Sequence, residues 1–310
     1  MAQEKVDLSI IIVSTNIEKM LRECLKSVYG ALKGIRSEVI VVDNASTDNT
    51  PNMVSDEFPK VKMIRKHENH GFAENNNYGM KVAKGRYILL LNSDTKIIDK
   101  NIFKEMISWM DSHPKAGLVS CALLNSDGKT YQGSGGFYPT LPRVLAWMSF
   151  LDDVPVIDKL IKPYHPLHGW SPFYKGDAFF RKPHRQDWVT GAFFLLRKEV
   201  VEEVGYFDED FFLYTEEVEL SHRIAKAGWE IWYLPQWQII HFGQVTTGSE
   251  KATIFELQNL VLLYKKHEPK WKIPVLKALL RFGVVLRIIL WTIAGKRDVT
   301  KIYAKAFKVI

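Results

Sequence analysis

A chain of 310 residues, 46% hydrophobic and 25% charged, is long enough to bury a large core and too apolar to be disordered. Its two cysteines, Cys24 and Cys121, match no zinc or redox spacing, which argues against a disulfide scaffold and for reduced, cytosolic thiols. The formal charge of +7 is unevenly spread: residues 265–310 carry twelve Lys/Arg against two acids, a local +10, leaving −3 elsewhere, so nucleic-acid binding by the main domain has no support.

The first part of the chain alternates strand and helix patterns and predicts an α/β fold with a mostly parallel sheet. Leu8–Val13 is a continuous apolar run, a strand buried on both faces and too short for a signal peptide. Asn16 is placed to cap the next helix, whose apolar residues Met20, Leu21, Cys24, Leu25 and Val28 recur at helical spacing. Glu38–Val42 reads as a second strand, followed by a helix from about Thr50 and a short strand near Val61–Ile64. Phe72–Ala83 reads as a helix closed by Gly85, and Tyr87–Leu91 as the next strand. Asp99–His113 is amphipathic and stopped by Pro114, Gly117–Leu124 is another strand, and Asn125–Gly128 makes a hairpin turn.

Between Gly133 and Asp187 seven prolines (139, 142, 155, 163, 166, 172 and 183) break the pattern, among Trp147, Trp170, Phe173, Tyr174 and the basic cluster Arg181–Arg185. This 134–187 insertion reads either as structural filler with short helices or as a mobile acceptor-side wall. Order returns with a strand over Trp188–Arg197, a helix over Glu199–Val204, a helix over Glu216–Ala227 and a strand over Ile231–Leu234. The boundaries expected are a main domain over 1–250 and a basic helical extension over 251–310.

The chemistry gathers at strand ends, where open α/β sheets bind ligands. Asn92-Ser93-Asp94 follows the apolar strand Tyr87–Leu91, and Asp94 is suited to hold a divalent cation on a diphosphate leaving group. A turn would be the simpler reading of that triplet taken alone. Asp43 ends the second strand and opens a loop of Asn, Ser and Thr suited to a base and ribose. Ser46 or Thr47 is also placed to cap a helix there. Asn75-Asn76-Asn77 is poor helix material, and Gly71 ahead of it leaves a helix N-terminus that could admit phosphate or sugar hydroxyls; solvated asparagines are the plain alternative.

On the acidic helix, Glu217, Leu220, Ile224 and Ala227 form one stripe, which puts Glu217 inward as a candidate general base. Glu219 is read as a surface partner of Arg223, and Glu216 as an acceptor-side neighbour. His241, at the end of Gln238-Ile239-Ile240, is either structural or a second metal ligand that would favour Mn²⁺ over Mg²⁺.

The order of these motifs resembles the inverting family 2 glycosyltransferases of GT-A (Rossmann-like) fold, above all the bacterial rhamnosyltransferase-like branch. The motifs are Ser14-Thr15-Asn16, Val42–Asp48, Gly71-Phe72-Ala73 with Asn76-Asn77, Asn92-Ser93-Asp94, Thr190-Gly191-Ala192, Phe207-Asp208-Glu209 with Glu216-Glu217, and His241, over Leu8 to about Gly248. The resemblance implies a nucleotide-diphosphate sugar donor held by the Ser14–Asn16 region, Asp43, Asn44, Gly71, Asn76 and Asn92–Asp94. It implies metal on Asp94 with His241, the acceptor near Trp188 and Gly191-Ala192, and the base on the acidic helix. The chain departs from the family where Glu217 replaces the usual Asp, where Thr15 replaces a common Tyr, and in having one carboxylate in Asn92-Ser93-Asp94.

Ile273–Ala294 is long and apolar, but Lys277, Arg281 and Arg287 fall within an arc of about 120° and Pro274 interrupts it. An in-plane helix with basic residues on anionic headgroups and Trp291 at the boundary is expected; packing on the domain or dimerisation is the alternative. The sequence reading is therefore an inverting, metal-dependent hexosyltransferase, with a rhamnosyl donor implied by the resemblance, peripheral on the inner face of the cell membrane and acting on a lipid-linked glycan. A nucleotidyltransferase or a non-catalytic nucleotide-sugar-binding protein are the alternatives.

Overall fold

The apolar run at the start of the chain becomes β1 (Leu8–Ser14), buried at every position but Val13, so cover is needed on both of its faces. The computed structural model describes residues 5–154, 156–167, 177–243 and 249–310. After β1 come α1 (Glu18–Ala31), β2 (Ser37–Asn44), α2 (Thr50–Glu57), β3 (Lys62–Lys66), α3 (Phe72–Val82) and β4 (Tyr87–Asn92). Next are β5 (Thr95–Ile97), α4 (Ile102–Ser112), β6 (Ala116–Leu124), β7 (Gly135–Gly136), α5 (Leu141–Met148), α6 (Ile157–Leu160), β8 (His184–Arg185) and β9 (Trp188–Val189). The chain closes with β10 (Phe193–Arg197), α7 (Lys198–Val204), α8 (Glu216–Lys226), β11 (Glu230–His241), α9 (Ser249–His267), α10 (Lys272–Ile293) and α11 (Arg297–Phe307).

The main sheet runs β3-β2-β1-β4-β10-β6-β11-β5, with β8 paired to β11. Strands β3, β2, β1 and β4 are parallel, as are β6 and β11; β10 runs antiparallel between β4 and β6, and β5 and β8 antiparallel to β11. Alternation along β1 divides the core. Ile10 and Ile12 pack with Leu21, Leu25 and Val28 of α1 and Phe103 and Met106 of α4, while Ile11 packs with Met80 of α3 and Leu220 and Ile224 of α8. This is the expected α/β fold of mostly parallel sheet flanked by helices.

Several local expectations change. Asn16 does not cap α1: Ile17 holds the N-cap position without a side-chain bond, and the Asn16 side chain turns to the 47–48 loop. Neither Ser46 nor Thr47 caps α2, whose N-cap is Asn49; Asp48 Oδ1 accepts from Thr50 N at 3.0 Å instead. Gly85 is no left-handed cap but a close approach, where a Cβ would lie 2.5 Å from Ser9 N. The single strand expected over Trp188–Arg197 is broken at 190–192. Conversely β11 is one long strand whose register shifts between Leu234 and Gln238, around Pro235, which cannot donate to a ladder.

The described residues form two compact units. One draws on residues up to Ser134, Phe180–Phe212 and Glu216–Gly243; the other on Gly135–Phe179, Leu213–Thr215 and Gln244–Ile310. In the second, α5, α9, α10 and α11 pack together, with the Tyr264 hydroxyl donating to Pro139 O at 2.6 Å. Trp170, Phe173, Tyr174, Pro155 and Pro172 of the insertion, and Gly248, lie outside the described residues. Both cysteines are free and buried, and burial pushes the Cys24 thiol up to about 12.

Candidate active site

Parallel register brings the polar motifs to one edge. Ser14 lies opposite Asp43 where β1 and β2 end, and Val13 opposite Asn92 where β4 ends. Ser14 and Asp43 are 2% and 1% exposed, yet Ser14 Oγ and Asp43 Oδ1 have no hydrogen-bond partner among the described residues. Each such buried orphan costs about 1–3 kcal/mol. A donor-bearing ligand at the strand ends would satisfy them, and the hydroxyls of a ribose are such donors.

The neighbouring polar residues shape the loops around this edge. Asn16, with φ of 49°, accepts from Thr47 N and Asp48 N at 2.7 and 3.2 Å. Asn44 donates to His70 O at 3.1 Å and accepts from His70 N at 2.8 Å, and Thr15 Oγ1 donates to Asn44 O at 3.4 Å. Two asparagines thus join the loops after β1, β2 and β3.

Ser93 and Asp94 form the tight turn between β4 and β5, and β5 pairs Thr95 with His241 at the end of β11. That pairing sets Asp94 Oδ1 3.3 Å from His241 Nε2. The imidazole is oriented from behind. Gln132 Nε2 donates to His241 O at 2.6 Å and to Asn125 Oδ1 at 2.9 Å, so its Oε1, 2.8 Å from His241 Nδ1, accepts the Nδ1 proton. Nε2 then faces Asp94, with Asn92 Nδ2 at 3.3 Å. A carboxylate and an imidazole nitrogen so placed can share a proton or a cation, and the pair is a donor set that suits a Mn²⁺-type ion. Among the described residues no group of three or more His, Cys, Asp or Glu side chains could hold a metal, so any cation held at this pair would need further ligands such as diphosphate oxygens or water.

The acidic helix α8 is rotated from the expected stripe. Glu216, Leu220 and Ile224, at steps of four, are buried with Val218 and Glu219, whereas Glu217 is half-buried and Ala227 exposed. Glu216 is 4% exposed; burial first, and the neighbouring Glu217 charge second, hold its carboxyl well above the ordinary range. Glu219 is no surface residue. It is buried and grips Arg223 at 2.7 Å, and Arg223 in turn donates to Val204 O and Tyr206 O at 2.5 and 2.7 Å.

All three asparagines of α3 are buried rather than solvated. Asn77 Nδ2 donates to Phe207 O and Glu209 Oε1 at 2.9 and 2.8 Å while its Oδ1 accepts from Phe207 N at 3.0 Å, and Asn76 Nδ2 donates to Phe72 O at 2.9 Å. Over the start of α3 the Phe212 carbonyl accepts from Phe72 N at 2.8 Å, and a Cβ on Gly71 would collide with that oxygen. Gly71 is therefore glycine because another segment crosses it, and the first N–H of the helix is already engaged. Gly191 lies under the Phe72 ring, 2.8 Å from where its Cβ would be, and Ala192 is buried, its carbonyl accepting from Asn92 N at 3.1 Å. Trp188 is also buried, on β9, against which α8 packs. A cavity of about 620 Å³ lined by Lys115, Arg185, Glu203, Trp229 and Glu230 opens at the opposite end of β6 and β11, away from Asp94.

The family model described as glycosyl transferase family 2 matches residues 9–205, well over half of the chain. The chain belongs to glycosyltransferase family 2. It is 26% identical to the N-acetylglucosaminyl-diphospho-decaprenol L-rhamnosyltransferase of Mycobacterium tuberculosis over 80% of this chain and 81% of that protein. It is also 26% identical to the poly-beta-1,6-N-acetyl-D-glucosamine synthase of Staphylococcus epidermidis, over 77% of this chain and 51% of the relative. Among solved structures, the mannosyltransferase from Pyrobaculum calidifontis in complex with GDP-Man and Mn²⁺ superposes with a TM-score of 0.56 at 17% identity, covering 99% of this chain and 84% of that one. That likeness shows the GT-A fold. Within family 2 this chain is of the rhamnosyltransferase-like type.

For a family 2 enzyme, the structure brings together Ser14, Asp43 and Asn44 at one point of the edge and Asn92, Asp94 and His241 at the next, while Glu216 and Glu217 begin a separate helix. Gln132 was not singled out from sequence. The hairpin register contains it: Leu124 bridges Tyr131, and Gln132 N donates to Leu123 O at 2.7 Å, which returns Gln132 beside the end of β11.

Proposed function

We propose that this family 2 glycosyltransferase moves a sugar from a nucleotide-diphosphate donor to an acceptor hydroxyl with inversion, and that residues 1–250 carry this chemistry. The observation that carries the reading is the Asp94–His241 pair, with its imidazole turned by Gln132 so that Nε2 and the carboxylate converge. Ser14, Thr15, Asp43 and Asn44 take the base and ribose, supported by the unpartnered Ser14 Oγ and Asp43 Oδ1. Asp94 and His241 would hold a divalent cation, Mn²⁺ or Mg²⁺, which when bound would supply positive charge against the diphosphate. Asn92 and Ser93 line the same turn. Gly191 and Trp188 lie on the acceptor side.

Glu217 acts as base. Its carboxylate accepts the hydroxyl proton as the acceptor oxygen bonds to the anomeric carbon from the face opposite the diphosphate, whose bond to that carbon breaks. Burial holds the carboxyl of the neighbouring Glu216 well above the ordinary range, which favours its neutral form and lessens the competing charge beside Glu217. The rhamnosyl donor and a polyprenol-linked glycan acceptor are inferred from the mycobacterial relative, whose name specifies both a rhamnosyl group and a diphospho-decaprenol carrier, and the inner membrane face from the basic tail over 265–310.

Donor hydrolysis and transfer assayed with Mn²⁺ test the reading. Glu217→Ala should lower turnover by about 10²–10⁴-fold, the usual contribution of a positioned base. Asp94→Asn should lose activity that added metal does not restore. Wild-type turnover in both variants would defeat this mechanism. Thermal-shift screening of nucleotide-sugars then identifies the donor, since a ligand of the native state raises the melting temperature.

A further inference from the structure

On α10, Val275, Ala278, Phe282, Val285 and Ile289 recur at steps of three and four, so they share one face. All five are exposed, Phe282 and Ile289 by 52% and 51%, and Ile293 extends the stripe. The opposite face, Leu276, Leu280, Gly283, Val284 and Arg287, is buried. This reverses the side expected from sequence for Arg287, whereas Arg281 stays exposed and Lys277 half-buried.

Arg287 explains the reversal. It is 6% exposed and donates to Met148 O, Trp147 O and Gly283 O at 2.7, 2.9 and 3.3 Å. A cation at the last carbonyls of α5 caps that helix and favours its dipole. Gly283 permits the approach, because a Cβ there would run into the Met148 side chain. With Arg287 and Gly283 fixed against α5, the remaining apolar stripe must point away from the unit.

Contiguous exposed apolar surface of this kind marks an interaction site. Charge identifies the occupant. Of the twelve Lys/Arg in 265–310 only Arg287 is buried, so eleven remain at or near the surface against two acids. Arg281 flanks the stripe, Trp271 stands 63% exposed at one end, and Lys296 and Arg297 lie at the other. A second copy of the chain would set like charge against like charge, whereas an anionic bilayer is complementary. No described helix is long and apolar enough to cross a membrane. We infer that the outward face of α10 seats the protein in the plane of an anionic lipid surface, its apolar stripe at the acyl boundary and its basic flanks on the headgroups. This deepens the reading of a lipid-linked acceptor, but binding is measured without turnover, so either can fail alone.

The test is flotation of the full chain with phosphatidylcholine vesicles with and without phosphatidylglycerol. Wild type floats with the anionic vesicles, less so at raised salt, and poorly with neutral ones. Phe282→Glu with Ile289→Glu lowers the bound fraction ~10-fold or more, because charge at that depth is strongly disfavoured. Phe282→Ser with Ile289→Ser, which adds no charge, gives a smaller loss in the same direction, and donor hydrolysis in solution is unchanged in both. Wild-type protein that stays with the soluble fraction, or variants that float as well as wild type, overturns the proposal. So does a concentration-dependent dimer in sedimentation velocity that the same substitutions abolish without any vesicle binding, which would assign the stripe to a second copy.

Discussion

A carboxyl that is 4% exposed, with a second carboxyl on the next residue, is costly to ionise, and Glu216 is in that position. In the unfolded chain it titrates at its ordinary value of 4.5; in the folded chain it holds its proton to higher pH. The folded state therefore binds more protons than the unfolded state between those two values, and stability falls as pH rises through that window. Each unit of separation removes about 1.4 kcal/mol. Glu216→Gln keeps the shape without the charge, so it should match wild type near the acid end and be the more stable at neutral pH. Calorimetry across pH reads this as a Tm difference that opens as pH rises above the ordinary carboxyl range. A constant Tm difference at all pH values would mean that Glu216 is not held neutral.

At the scale of elements, α3 does more than cover the sheet. Its asparagine run fastens the segment that leads from α7 toward the acidic helix, through the three Asn77 bonds to Phe207 and Glu209 and the Phe72 N–H to Phe212. Asn77→Ala leaves buried backbone groups of Phe207 unpaired and should cost about 1–3 kcal/mol. Gly71→Ala forces the Phe212 carbonyl aside at a similar cost of ~1–3 kcal/mol. Urea titration should show both losses, and turnover should fall as well, since the displaced segment precedes Glu216 and Glu217. Sequence legibility follows the same physics. Continuous apolar strands such as Leu8–Val13 and Tyr87–Leu91 announce themselves, and with them the polar residues at their ends. Which of two adjacent glutamates turns inward is not fixed by a stripe, because Leu220 and Ile224 lie at helical spacing from Glu216 and Glu217 alike. Nor does period alone say that Arg287 caps α5 or that Gln132 comes back to His241; both depend on partners more than 100 residues away.

For the whole molecule, sheet polarity decides where ligands meet. The C-terminal edge gathers Ser14, Asp43, Asp94 and His241, whereas the 620 Å³ cavity at the far end of β6 and β11 has only Lys115, Arg185, Glu203 and Glu230 among its charged neighbours apart from Asp187. With only the two protein ligands proposed for a cation, neither metal nor nucleotide-sugar would complete the site alone. Their binding should be coupled, each raising the affinity for the other by the same factor. Mn²⁺ alone should shift Tm little, and donor alone modestly. Both together, at about 100 times the coupled Kd, should stabilise by ~2.7 kcal/mol, a rise of roughly 4 °C. Chelator added to the ternary mixture should return Tm to the donor-alone value. His241→Ala and Gln132→Ala should weaken the coupling, Gln132→Ala by releasing the ring orientation while leaving the ligand atom in place. Equal shifts for Mn²⁺ with and without donor would show that the cation binds elsewhere.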